Sequence, residues 1–96
     1  MTREELEMFL EEIGAIYEVD LSCKDKGVEF VYIHGKDEYL KKKNHPRKYK
    51  NLFIPYLRVS WHDGEDRVYT RHNGLTGYMN TDDVKNVCRE LTEIES

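Results

Sequence analysis

Tyr17-Glu18-Val19-Asp20-Leu21-Ser22-Cys23 leads through Lys24-Asp25-Lys26-Gly27 into Val28-Glu29-Phe30-Val31-Tyr32-Ile33, and how this stretch pairs with itself decides the fold. In its first part apolar and polar side chains alternate with a period of two, as in a strand with one wet face. Residues 24–27 read as a turn. A hairpin closed on that turn sets Cys23 opposite Val28, Leu21 opposite Phe30 and Val19 opposite Tyr32, which gathers the large apolar pairs on one face. Ser22 with Glu29, Asp20 with Val31 and Glu18 with Ile33 then form the other.

Upstream of the hairpin, Leu6, Phe9, Leu10 and Ile13 fall at i, i+3, i+4 and i+7, which predicts an amphipathic helix over residues 3–13. Thr2 and Glu5 have the spacing of a capping box, and Gly14 is placed to end the helix. Downstream, residues 36–43 fit a short helix that Pro46 stops. Asp63-Gly64 predicts a second tight hairpin between 52–62 and 65–72. Its pairing sets Trp61 opposite Asp66, Val59 opposite Val68 and Leu57 opposite Thr70, with Ser60–Arg67, Arg58–Tyr69 and Tyr56–Arg71 on the reverse. Pro55 has no N–H for a ladder, so it belongs to an edge or lies outside the sheet. Residues 73–80, with two glycines, read as a loop. Thr81 as N-cap, Asp82 and Asp83 in the first turn, and the stripe Val84, Val87, Cys88, Leu91 with Ile94 predict a closing helix.

The expected architecture is α+β with element order α-β-β-β-β-α. About four antiparallel strands, made of two hairpins, form one layer of a single domain over residues 1–96, and the N- and C-terminal helices cover one face. Burial of Phe9, Phe30, Leu57 and Trp61 is expected to hold it together.

Composition narrows the function classes. In 96 residues, 39% are apolar and 35% charged, and the net charge of −4 excludes a uniformly basic nucleic-acid binder. No apolar run is long enough for a membrane span, and Met1-Thr2-Arg3-Glu4-Glu5 lacks the apolar segment of a signal peptide. A cytoplasmic protein that does not contact a membrane is expected. Cys23 and Cys88, the two cysteines, lack the paired spacing of a zinc site and are read as reduced, small buried hydrophobes.

Neither a metal nor a cofactor is expected. In the second hairpin His62 lies near the tip and His72 near the open end, about 25 Å apart at ~3.3 Å per residue, too far to share an ion. Ser60 and His62 have no third group to orient the imidazole. Gly74-Leu75-Thr76-Gly77 lacks the Gly-Lys-Ser/Thr ending of a phosphate loop. Gly14-Ala15-Ile16-Tyr17 and Val31-Tyr32-Ile33-His34-Gly35 are similar in part to the two strand signatures of GIY-YIG nucleases. Both signatures are interrupted, and Pro46 falls where that family's arginine-bearing helix would run, so the resemblance assigns no site. No catalytic residue is expected; a hydrolase or nuclease would need a metal-dependent activity that mutation of His62 or His72 abolishes.

Charge is distributed unevenly. Lys41, Lys42, Lys43, Arg47, Lys48 and Lys50 fall within ten residues that contain no acid, while the remainder holds nine basic against nineteen acidic residues. Tyr56, Arg58, Arg67, Tyr69 and Arg71 line the reverse face of the second hairpin, a combination suited to stacking on bases and gripping phosphates. Glu18, Asp20 and Glu29 share that face if the hairpins are neighbours, and would then neutralise the arginines. On the helical side, Glu4, Glu7, Glu11 and Glu12 present a negative surface.

The expectation drawn from these features is a small non-enzymatic module that binds a larger protein. By analogy alone, it has the size and charge density of phage or mobile-element regulators and inhibitors of nucleic-acid-handling enzymes. The alternative is a nucleic-acid-binding module that uses the basic 41–50 segment and the Arg/Tyr sheet face. A further possibility is that the charges serve only solubility and internal pairing. Partner identity, strand order and oligomeric state are left open.

Overall fold

The first helix, α1 (Arg3–Ile13), forms as its caps dictate. Thr2 accepts a hydrogen bond from the Glu5 amide, and Gly14 takes φ 70°, which lets its own N–H reach the carbonyls of Glu11 and Leu10. Leu6 and Leu10 are fully buried. The computed structural model describes residues 1–93, so Ile94 lies outside the described residues.

After α1 come β1 (Ile16–Asp20), β2 (Val28–His34), α2 (Lys36–Asn44), β3 (Tyr56–His62), β4 (Val68–His72), β5 (Leu75–Met79) and α3 (Thr81–Thr92). The strands form one antiparallel sheet in the order β1-β2-β3-β4-β5. Leu6 and Leu10 of α1 and Val84, Cys88 and Leu91 of α3 share one core with Val31, Ile33, Leu57, Val59 and Val68. Both terminal helices therefore cover the same side of the sheet, as expected, and among the described residues no helix packs across the other side.

The first hairpin departs from the expected register by one residue. Glu18 stands opposite Tyr32, Val19 opposite Val31 and Asp20 opposite Phe30. Residues 21–27 close it, not a four-residue turn: Asp20 caps the Ser22 amide and hydroxyl at 2.9 and 2.6 Å, Lys24–Lys26 make a 3-10 turn, and Gly27 takes φ 80°. Because β2 is apolar on both faces, periodicity alone does not select its inner one. The helices take the β-branched Val31 and Ile33, both fully buried. Phe30 and Tyr32 turn to the open face, which corrects the placement of Phe30 in the core. Leu21 and Cys23 fall outside β1, and Cys23 is half-buried while Cys88 is buried.

The second hairpin is shifted by two residues, so the side chains that remain in its strands keep their expected face, whereas Arg67, expected on the reverse face opposite Ser60, falls outside β4. Leu57 pairs with His72, Arg58 with Arg71, Val59 with Thr70 and Ser60 with Tyr69. The Asp63-Gly64 turn does form, with the Glu65 amide bonded to the His62 carbonyl at 3.1 Å. However, β3 pairs with β2 as far as His62 opposite Val28, and the Asp63 amide bonds the Gly27 carbonyl at 2.9 Å. That pairing holds the tip against β2 and leaves Arg67 in the loop before β4. Pro55 lies just outside β3, its carbonyl accepting from Gly35 at 2.7 Å.

Residues 73–80 are not a loop. Asn73 (φ 49°) and Gly74 (φ 93°) make the two-residue turn into β5, a fifth strand. The Asn73 side chain also accepts from the Tyr56 amide at 2.9 Å, which ties this turn to β3. The N-cap of α3 is Asn80, not Thr81, and it accepts from the Asp83 amide.

Candidate nucleic-acid interface

Side chains of paired residues in an antiparallel sheet point to the same face, so the ladder pairs can be followed across all five strands. On the open face one row runs Asp20, Phe30, Ser60, Tyr69, Tyr78 and the next runs Glu18, Tyr32, Arg58, Arg71, Thr76. A third holds Ile16, His34 and Tyr56. Tyr56, Arg58, Tyr69 and Arg71 thus lie together, as expected from their spacing.

Phe30, Tyr32 and Tyr78 join them, and the sequence reading missed all three. For Tyr78 a signal existed, because Asn73-Gly74 is a strong hairpin dipeptide. For Phe30 and Tyr32 none did, since β2 offers apolar residues on both sides.

The rings pack in separate groups along the face. Phe30 and Tyr32 are 6.2 Å apart between centroids, Tyr69 and Tyr78 5.4 Å, and His62 meets Tyr69 edge-on at 6.3 Å. Arg58 lies over Phe30 at 5.5 Å and Arg67 over Tyr78 at 4.4 Å. At the end of the sheet, His34 stacks on Tyr39 of α2 at 5.3 Å and Phe53 meets Tyr56 edge-to-face at 6.5 Å.

Charge on this face is segregated. Glu29, opposite Trp61 in the ladder, points to the helical side and pairs with Arg3 at 3.4 Å and Lys24 at 3.9 Å. It does not reach the open face, contrary to expectation. Glu18 and Asp20 do, but both stand on the outer strand β1. Glu18 is 3.9 Å from His34, and hydrogen bonds from Ser22 hold the Asp20 carboxyl below the usual carboxylate range. Among the described residues Arg58, Arg67 and Arg71 make no ion pair. Arg58 and Arg71 stand directly opposite each other, an arrangement of like charges that disfavours the sheet.

A groove of about 520 Å³ runs between Tyr32, His34, Ile54, Tyr56, Arg58 and Arg71. Arg58 Nε and His34 Nε2 are both buried here without a hydrogen-bond partner. A buried donor left unsatisfied costs roughly 1–3 kcal/mol. Ile54 also lines a second depression with Tyr39, Lys42 and Lys43, so the basic segment adjoins the arginine groove. Half of that segment is helical: Lys41, Lys42 and Lys43 form the last turn of α2, and Arg47, Lys48 and Lys50 follow Pro46 in an exposed turn. Lys41 pairs with Asp37 at 2.8 Å, which raises its pKa, and Lys48 lies over Tyr49 at 5.3 Å.

On the opposite side, α1 uses much of its acid internally. Glu4 and Glu7 pair with Arg3, and Glu11 accepts from the Tyr17 hydroxyl. That bond, first among its causes, pushes the Tyr17 phenol up to about 12. Of the four expected glutamates, Glu12 has no such partner among the described residues.

Among the described residues the catalytic candidates named from the sequence do not come together. Ser60 is buried and donates to the Tyr69 carbonyl at 3.1 Å. His72 pairs with Leu57, five residues from His62, which sets the two histidines on the order of 17 Å apart, nearer than expected but still too far to share an ion. Carboxylates of Asp37, Glu38 and Glu93 come within 4.8 Å of one another where α2 meets the end of α3, a cluster assembled from distant parts of the chain. No helix is long and apolar enough to cross a membrane among the described residues. Comparison with known proteins finds no matching family model, no significantly similar curated protein and no significantly similar solved structure.

Proposed function

We propose that this protein is a non-enzymatic binding module that takes a single strand of nucleic acid across its open sheet face. The observation that carries the reading is the opposed pair Arg58 and Arg71, unpaired with any carboxylate among the described residues and surrounded by Phe30, Tyr32, Tyr56, Tyr69 and Tyr78. Arginines in that position receive phosphates, and the rings stack on bases that have left their partners. A duplex keeps its bases stacked on one another and offers such rings nothing to cover. Lys42 and Lys43 extend the positive track beyond the sheet, while the negative helical side repels the strand and orients it.

Fluorescence anisotropy of a labelled single-stranded oligonucleotide, titrated across a range of salt, tests the reading. Four to six phosphates neutralised give a slope of log affinity against log salt of about −3 to −4, and a matching duplex binds more weakly. Absence of single-strand binding at low salt would end this reading.

A second reading, the protein partner expected from the acidic side, has one observation in its favour. Met8 is 70% exposed on α1, ringed at helical spacing by Glu4, Glu5, Glu11 and Glu12. An exposed apolar side chain inside an acidic rim suits a basic protein surface. Charge reversal at Glu4 and Glu12 with Met8→Ala tests it: capture of a basic protein partner should be lost, and unchanged capture removes the acidic side from consideration. A regulator or inhibitor of a nucleic-acid-handling enzyme would combine the two surfaces.

A further inference from the structure

The two edges of the sheet are built differently. β1 (Ile16-Tyr17-Glu18-Val19-Asp20) carries two carboxylates, the usual protection of an exposed strand against another chain. β5 (Leu75-Thr76-Gly77-Tyr78-Met79) carries no charge, no proline and no bulge. It lies within residues 73–81, all of them uncharged in a chain of which 35% is charged. Leu75 is 78% exposed and Tyr78 50% exposed.

We infer that β5 is a dimerisation edge, pairing antiparallel with β5 of a second copy of this chain about a two-fold axis at Gly77. The ladder fixes which backbone groups are available. The two-residue turn makes His72 and Leu75 a hydrogen-bonded pair, and alternation makes Thr70–Gly77 and Val68–Met79 the next ones. Thr76 and Tyr78 therefore point their N–H and C=O groups away from β4, and neither amide donates elsewhere among the described residues. A two-fold at Gly77 sets Thr76 of one copy against Tyr78 of the other, so that groups already pointing outward meet their complements in hydrogen-bonded pairs.

The side chains agree with the same axis. Leu75 falls opposite Met79 of the second copy on the helical face, joining two apolar side chains. On the open face Thr76 falls opposite Tyr78. At the axis the two Gly77 residues meet with no side chain to collide, and a Cβ built on Gly77 finds nothing within 4 Å in the monomer. The glycine thus has no packing reason inside one copy, whereas two chains crossing at this point give it one. The residues that flank the strand, Gly74 and Asn80, are uncharged and bring no like charges together. The product is one continuous sheet of both copies with the two open faces on the same side. Pairing through β5 leaves both open faces uncovered, whatever they bind.

Sedimentation equilibrium of the full chain without nucleic acid tests it. The wild type is expected to show a concentration-dependent mass rising to twice 11.5 kDa, with the Thr76 and Tyr78 amides protected from hydrogen exchange in the concentrated sample. Thr76→Pro removes an outward N–H that β4 does not use, and Leu75→Lys places a charge on the edge. Each should weaken self-association at least tenfold with an unchanged circular dichroism spectrum. A wild type that stays at 11.5 kDa up to ~1 mM, or a dimer whose dissociation constant neither variant alters, overturns the inference.

Discussion

Replacing Arg71 by Glu should make the fold more stable while it destroys the binding site. Arg58 and Arg71 face each other across β3 and β4, where side chains of directly opposed residues have Cβ atoms about 4.5–5.5 Å apart. Like charges there cost a few tenths of a kcal/mol, and an opposite pair returns a similar amount, within the ~0.2–1 kcal/mol range of cross-strand pairs. Arg71 is exposed, so screening by water and the poorer strand propensity of Glu take back part of the gain. A net stabilisation of about 0.5 kcal/mol remains. For a chain of this size that is a rise in Tm of roughly 2–4 °C, from ~4–8 °C per kcal/mol. Thermal melts in low salt measure it, with Arg71→Gln separating lost repulsion from gained attraction. In about 1 M salt, where the Debye length falls to ~3 Å, the gain should shrink toward zero. The same variant should lose single-strand affinity. A lower Tm for Arg71→Glu at low salt, or a gain indifferent to salt, would refute the claim that these arginines are held together against the interest of the fold.

Other consequences can be read from single groups. Cys88 is fully buried, and burial pushes its thiol up to about 12, so in the native protein a thiol reagent should modify Cys23 quickly and Cys88 only at the rate of unfolding; equal rates would contradict this packing. The Tyr17 phenol, raised to about 12 by its bond to Glu11, should appear in an ultraviolet titration as a late step that Tyr17→Phe removes. Its proton is held more tightly in the folded state, so the stability it contributes is complete below pH ~10 and is lost as pH rises toward 12; Tyr17→Phe should remove that limb of the stability curve. Gly74 takes φ 93°, which a side chain adopts at a cost of about 1–3 kcal/mol, so Gly74→Ala should lower Tm by at least ~4 °C. An unchanged Tm would mean that the turn into β5 is not formed.

What the sequence yields and withholds follows from its patterning. α1 is legible because Thr2, Gly14 and the Leu6–Ile13 stripe agree with one another. Most of the Arg/Tyr face of β3 and β4 is also legible, despite a misplaced register, because a shift of two residues returns Tyr56, Arg58, Tyr69 and Arg71 to their own side, though it leaves Arg67 in the loop. In the first hairpin the error is one residue and reverses β2, where Val31 and Ile33 compete with Phe30 and Tyr32 for the core on equal periodicity. Only the helices, packed from far along the chain, decide between them. β5 is short and carries Gly77, which hid the strand even though Asn73-Gly74 announces its turn. The arginine groove depends on β2 lying beside β3, a relation between segments 22 or more residues apart that local pattern does not encode.

Backbone amide spectra recorded while an unlabelled single-stranded oligonucleotide is added to the isotope-labelled protein ask most directly which side of the sheet receives a ligand. Progressive shifts concentrated at Phe30, Tyr32, Tyr56, Arg58, Tyr69 and Arg71, with those of α1 and α3 unmoved, are expected. Shifts confined to the two terminal helices, or none at saturating oligonucleotide in low salt, would contradict the account.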